Sequence, residues 1–402
     1  MKQSILISVA VYLLIAISLS CSDFVDNVTP PIDEIDSDKL TDESQMSFLI
    51  AGVQQRFATT YDQTILLADA LSDAFFFDPN VPGATFVSFE DIDFGEIELD
   101  NSAVEAQFLQ LGELRFLADD LLRRARQIEF VDLELRRQVF FTGHLYGGIA
   151  RYLYATYTGL SETEGGGVID NGPFIPSDEM YALALASLQE ALDHTNSAYE
   201  RRMLNSLIAR CHLFNGNQSA ARSSARDGLQ EGDPPFQALY NSESANFYWS
   251  QAGRGQTQFV VDSLLVDCVT TDPAETTRIK IEPILGLDEE TVFWRQARYP
   301  RVDSPIPFIS WQENELMLAE LEFNTGGVPS ALGRVNRVRA AFGLSSLQTL
   351  LLEDIKAERD KTLFARGLRL VDQRRFGEFH LEGVWQYLPI PLVERINNPN
   401  LD

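Results

Sequence analysis

The chain has 402 residues, of which 45% are hydrophobic and 10% aromatic. That is enough apolar material for a large core, and it excludes global disorder. The formal net charge of −27 excludes a nucleic-acid surface, which needs basic residues to displace counterions from phosphates.

Residues 1–20 read as a targeting segment. Lys2 supplies a minimal charged start, and "ILISVAVYLLIAI" (5–17) is an apolar run of signal-peptide length. It is too short to span a bilayer comfortably. The small residue before Cys21 fits lipoprotein processing, which makes Cys21 the expected lipidated N-terminus. Residues 21–44 are acidic, carry Pro30 and Pro31 and lack helical periodicity, so they read as an extended tether. The body is expected as one domain over 45–402.

From residue 46 the spacing predicts helix. "MSFLIAGVQQRFATTYDQTILLADALSD" places apolar residues at three- and four-residue steps. A loop rich in Phe, Asp and Glu follows over 75–101. Helical periodicity returns in "AVEAQFLQLGELRFLADDLLRRARQ" and "LELRRQVFFTGHLYGGIARYLYATY". A glycine-containing stretch at 161–176 interrupts it. "DEMYALALASLQEALDH" (178–194) is helical again. Residues 200–232 then hold two amphipathic segments joined by a turn at Gly216, with Ala209, Ala220, Ala221 and Ala225 at the crossing. Helix, tight turn and helix with small contact residues is the physics of a tetratricopeptide-like pair. Residues 236–307 are less regular and include β-prone runs such as "QFVVDSLLV". A second helix–Gly-Gly–helix unit occupies 311–344. Tetratricopeptide-like pairs are thus expected at about 102–232 and 311–344, in a mainly α fold with irregular loops and little β.

Basic charge gathers near the end. Of the 32 basic residues 27 are Arg and 5 are Lys, and Arg is the residue suited to forked pairing with carboxylates. "IKAERDKTLFARGLRLVDQRRFG" (355–377) holds Lys356, Arg359, Lys361, Arg366, Arg369, Arg374 and Arg375, interleaved with Glu358, Asp360 and Asp372. The mixture points to an internal patch in which Arg369 and Arg375 pair with carboxylates from neighbouring helices. Cys211 reads as a buried thiol. An exported chain permits a Cys211–Cys268 disulfide, and the sequence leaves that open.

No GxSxG, HExxH, P-loop or GxGxxG motif occurs. His144, His194, His212 and His380 show no catalytic or metal-ligand spacing. Acidic pairs are so frequent that adjacency of carboxylates carries no weight for acid–base chemistry. "EDIDFGE" (90–96) lacks the ligand series of a calcium loop.

The C-terminal third resembles the SusD/RagB family of outer-membrane nutrient-binding lipoproteins. The stretches that carry the likeness are "NELMLAELEFNTGG", "ALGRVNRVRAAFGL", "ERDKTLFARGLRLVDQRRFG" and "YLPIPLVERINNPNL". Glu358, Arg359, Gly367, Arg369, Asp372, Arg375 and Gly377 fall on the family's structural pattern. Thr362 and Arg366 depart from it, because the family usually has Glu at both.

The resemblance implies a SusD-like helical fold and no catalytic role; no cofactor is expected, the residue spacing supports no metal site, and the sequence leaves calcium binding open. It implies a nutrient ligand, most often a glycan, and a place at the cell surface as a lid on a SusC-like, TonB-dependent outer-membrane transporter. The chain would be held to the outer membrane by its N-terminal lipid. A peptide-binding member, or a helical-repeat scaffold for a protein partner, is the alternative. Family binding sites are shallow and built from loop aromatics. The resemblance implies that the segment following Asp73 of "LSD" corresponds to one that borders the ligand site in the starch-binding type of member. The candidates beside it are Phe75, Phe76, Phe77, Phe86, Phe89 and Phe94, with Trp249 and Trp294 as secondary ones. Ring faces next to carboxylates suit sugar C–H surfaces and hydroxyls. For any single Phe, a core or transporter-facing role competes with that reading.

Overall fold

The computed structural model describes residues 42–401. The signal segment, Cys21 and the tether to residue 41 lie outside the described residues. A 3-10 turn, Glu43–Gln45, capped by the Asp42 side chain, begins inside the last residues expected as tether.

Helix α1 (Met46–Leu71) runs 26 residues, about 39 Å. From Thr60 to Leu71 every residue is buried, which places this half at the centre of the core. Its buried polar groups are satisfied. Asp62 accepts from the Phe247 N–H at 2.7 Å, and Gln107 donates to Thr64 Oγ1 at 2.8 Å. Asp69 accepts from the Tyr248 hydroxyl at 2.5 Å and from the Gly367 N–H at 3.0 Å.

After strand β1 (Phe75–Phe77) and the short α2 (Ser88–Asp93) come α3 (Ser102–Ala125), α4 (Leu133–Tyr157), α5 (Ser177–Asp193), α6 (Ala198–Phe214) and α7 (Gln218–Arg226). Each of α3 to α7 packs on its predecessor or successor, and α3 and α4 also pack on α1. Asn101, Asp132, Ser197 and Asn217 cap the starts of α3, α4, α6 and α7 through their side chains, each worth about 1 kcal/mol. Ala209, Ala221 and Ala225 are buried where α6 meets α7. The crossover region holds α8 (Phe247–Gln251) and α9 (Ser263–Thr271). In the run read as β-prone, only Phe259–Val261 is strand. Asp262 caps Leu264 N–H at 2.7 Å and turns the rest into α9.

The closing helices are α10 (Trp311–Phe323), α11 (Val328–Ala341), α12 (Leu352–Thr362), α13 (Leu368–Phe376) and α14 (Leu392–Asn397). Helix α10 packs on α7, α11 and α12. Strands are few and paired only in twos among the described residues. β1 pairs with β6 (Phe259–Val261), and β5 (Phe236–Ala238) with β9 (Ile306–Ile309). β7 (Ile281–Leu285) pairs with β8 (Val292–Gln296). β3 (Gly166–Gly167) pairs with β4 (Ile175–Pro176), and β2 (Thr158–Gly159) runs parallel to β10 (Leu388–Pro389). The fold is mainly α with little β. Cys211 and Cys268 are free thiols, and Cys211 is buried.

The basic patch is threaded through the interior. Arg359 pairs with Asp372 at 2.7 Å, and Arg375 with both Asp372 and Glu320. Arg369 bridges Asp73 at 2.6 Å and Asp360 at 2.5 Å. Lys356 meets Glu378, and Lys361 meets Glu275. The two departures from the family pattern each have a partner. Thr362 Oγ1 accepts from Arg278, which also pairs with Glu358 and Glu275. Arg366 pairs with the fully buried Glu313 at 2.6 Å. Arg374 lies over the Tyr387 ring at 3.9 Å.

Candidate functional site

The C-terminal end of α1 carries the surface on which the sequence focuses. Asp73 sits just past the helix with φ +58, a left-handed conformation that Asp tolerates better than most residues. Its Oδ1 accepts from Arg369 Nε at 2.6 Å and from Gln373 Nε2 at 3.1 Å, both on α13. The same two side chains donate to the Ser72 carbonyl. Asp73 is thus a clasp between α1 and α13, with its side chain about one quarter exposed at 27%.

The structure divides the six phenylalanines. On β1 successive side chains alternate. Phe75 is buried between Phe364 and Tyr248, and Phe77 is buried with it. Phe89 is buried against Phe259, centroids 4.8 Å apart. Buried in this way, these three have no free face for a ligand. Phe76 points to the opposite side and is partly buried near Phe293, in a small cluster with Val81 and Val260. Phe86 and Phe94 remain open, 49% and 52% exposed. Trp249 on α8 and Trp294 on β8 are partly buried. Among the described residues no ring contact links either Trp to Phe86 or Phe94.

The loop that presents Phe86 is held by a residue the sequence reading missed. Buried Gln258 accepts from the Thr85 and Phe86 N–H groups at 2.8 and 3.1 Å and donates to the Gly83 carbonyl at 2.6 Å. A Cβ on Gly83 would fall 1.4 Å from the Gln256 carbonyl oxygen, so only glycine admits this approach. Phe94 follows α2, which Asp93 ties to β1 by accepting the Phe77 N–H at 3.1 Å. The chain returns beside it where Trp385 N–H donates to the Gly95 carbonyl. Nothing in local periodicity marks Gln258 or Trp385; only the fold brings them here.

Burial pushes the Asp93 carboxyl up to about 7, helped by the charges of Asp262, Glu90 and Asp73 and opposed by the Phe77 hydrogen bond. A raised folded-state value means that the protonated form is favoured on folding. The stabilisation is complete below the unfolded value of 3.8 and is lost as pH rises through about 7. Asp93→Asn keeps an acceptor for Phe77 but carries no charge. Its melting temperature is expected to gain on the parent's as pH rises from 4 to 8, by several degrees at the top. A pH-independent gap between the two curves would contradict this.

A second concave surface lies toward the other end of α1. A groove of about 560 Å³ is lined by Gln54, Gln55, Tyr146, Tyr199, Phe236 and Asn241, among others. It adjoins a recess of about 320 Å³ reaching Gln138 and Phe141, with Gln54, Tyr146, Tyr199 and Phe236 shared. Rings interleaved with side-chain amides are again able to hold a polyhydroxylated ligand. Among the described residues no helix is long and apolar enough to cross a membrane.

Neither a family model nor a curated protein matches the chain. Solved structures do. A SusD superfamily protein of Bacteroides vulgatus ATCC 8482 superposes with a TM-score of 0.70 at 14% identity, covering 90% of this chain and 98% of that one. The chain has the SusD-like fold. A SusD-like carbohydrate binding protein of the same organism aligns with TM-score 0.68 and 14% identity over 83% of each chain. A laminarin binding SusD-like protein aligns with TM-score 0.68 and 14% identity, over 90% of this chain and 98% of its own. At such identity the SusD-like likeness is one of architecture, so the contact residues must be argued from this chain alone.

Proposed function

We propose that this protein is a non-catalytic, cell-surface glycan-binding lipoprotein that acts as a lid on a SusC-like, TonB-dependent outer-membrane transporter. The observation that supports the reading is the SusD-like fold, matched over 83% of a protein whose name includes carbohydrate binding and 98% of one whose name includes laminarin binding. In this reading residues 1–20 are removed, Cys21 carries the lipid, 21–44 is the tether and 45–402 is one SusD-like domain. Phe86 and Phe94 form the ligand platform and Asp73 holds its base, while Phe76, Trp249 and Trp294 are partly buried away from both open rings.

Calorimetric titration against polysaccharides and peptides tests the ligand class. Binding to a glycan is expected, and binding to peptides alone would overturn it. Phe94→Ala should weaken glycan binding about three- to tenfold, the worth of one stacked ring. The amide-lined groove supports a second location. If Phe86→Ala and Phe94→Ala leave affinity unchanged while Tyr199→Ala lowers it, the ligand sits there instead. Purification from native membranes tests the lid. A large β-barrel should accompany the chain, and Cys21→Ser should release the chain from the membrane fraction.

A further inference from the structure

The four histidines are far apart in sequence, and linear spacing indicated no metal site. The fold changes that for two of them. His144 on α4 faces Glu190 on α5 and His194, the residue that ends α5. One potential ligand atom from each lies within 4.8 Å of the other two. Glu190 and His194 are four residues apart, so they share a helix face.

We propose that His144, Glu190 and His194 bind one divalent transition cation, Zn²⁺ first among them, and that the ion clamps α4 to α5. The donor set selects the class. Two imidazoles and one carboxylate suit Zn²⁺ and its first-row neighbours, whereas Ca²⁺ and Mg²⁺ prefer all-oxygen shells. Metal–donor bonds of about 2.0–2.2 Å place tetrahedral donors about 3.3 Å apart. Rotation of the side chains closes the remaining distance.

The backbone beneath the three residues is already set. A Cβ on Gly148 would lie 2.8 Å from Leu188 Cγ and 3.2 Å from the Ala184 carbonyl, so glycine here lets α4 and α5 approach closely. Ser187 Oγ donates to the His144 carbonyl at 2.9 Å. This contact lies one turn from Glu190. The imidazoles already lie close together. Their rings are nearly parallel, 6° apart with centroids at 5.6 Å, and Phe140 stacks on His194 at 5.1 Å. Arg136 lies over Phe140 at 5.2 Å, and the charges that oppose an ion here are those of Arg126 toward His144 and Arg136 toward His194. Both His are partly buried and Glu190 is exposed, which leaves an entry path and a fourth position for water. A purely apolar stack would account for Phe140 and the two rings. It gives no reason for a carboxylate to converge on them.

The test uses the tag-free chain, stripped with chelator and titrated with Zn²⁺ alone. One ion per chain is expected. At about one hundred times Kd the melting temperature should rise about 4 °C, and Ca²⁺ or Mg²⁺ should not raise it. His144→Ala and Glu190→Gln should each weaken Zn²⁺ binding at least about tenfold. Glu190 is exposed, so its variant keeps the fold and the comparison stays interpretable. Absence of stoichiometric Zn²⁺ binding, or binding that Glu190→Gln leaves unchanged, overturns the proposal.

Discussion

Glu313→Gln is expected to be among the most destabilising single changes in the chain, costing about 3–5 kcal/mol and lowering the melting temperature by about 4–7 °C. Glu313 is fully buried. Its Oε1 accepts from Arg210 Nε at 2.7 Å, and its Oε2 accepts from Arg210 Nη2 at 2.8 Å and Arg366 Nη2 at 2.6 Å. Both guanidiniums are also almost completely buried. The cluster therefore carries one net positive charge, softened by the Phe308 carbonyl, which accepts from both Arg residues. The Phe308 ring, 4.9 Å from the Arg210 guanidinium, adds a little. Gln at 313 removes the only carboxylate from the cluster and leaves two buried cations facing each other. Arg does not shed its proton to escape, so the penalty falls on folding. Denaturant melts measure it. Adding Arg366→Met to Glu313→Gln should recover part of the loss, because one of the two stranded charges is gone. Equal stability of the single and double variants would show that the charges do not govern this site.

Arg366 also shows what the chain could reveal before it was folded. The long helices were legible, because α1, α3, α4 and the α6–α7 and α10–α11 pairs repeat apolar residues at the helical period. The interleaving of acid and base over 355–377 was legible as an internal patch. The partners were not. Glu313 is 53 residues from Arg366, and Asp73 is 296 residues from Arg369. Periodicity states which face a residue occupies, never which distant element meets it. The aromatic loop fails for the same reason. Phe75, Phe76, Phe77, Phe86, Phe89 and Phe94 are one residue type in one stretch, yet half are buried and only Phe86 and Phe94 stand open. Alternation along β1 separates Phe76 from its neighbours, but a three-residue strand is too short to announce itself. Gln258, the amide groove and the His144–Glu190–His194 cluster all need the tertiary fold to exist.

Gly367→Ala is the second large effect expected, at about 2–5 kcal/mol. Gly367 has φ +70 at the start of α13, where an L-residue pays about 1–2 kcal/mol. An added Cβ would also lie 2.6 Å from Ile65 Cβ and 2.8 Å from Ile65 Cα. Ile65 is in the buried half of α1, whose backbone cannot retreat without disturbing the whole core, and overpacking of that kind costs about 1–3 kcal/mol. Gly377 separates the two contributions. It ends α13 with φ +69, and nothing lies within 4 Å of its added Cβ. Gly377→Ala should therefore cost only the backbone part, and the difference between the two variants reads the steric part directly. The position matters for binding as well. Gly367 donates its N–H to Asp69, and α13 supplies Arg369 and Gln373 to Ser72 and Asp73. Moving α13 off α1 loosens the clasp from which the Phe86 and Phe94 loop departs. On the proposed reading, in which Phe86 and Phe94 carry the ligand, folded Gly367→Ala protein should consequently bind glycan less well, whereas Gly377→Ala should bind as the parent does. Equal melting temperatures for the two variants would mean that α1 yields to the new methyl group, and the clasp would then be softer than its hydrogen bonds indicate.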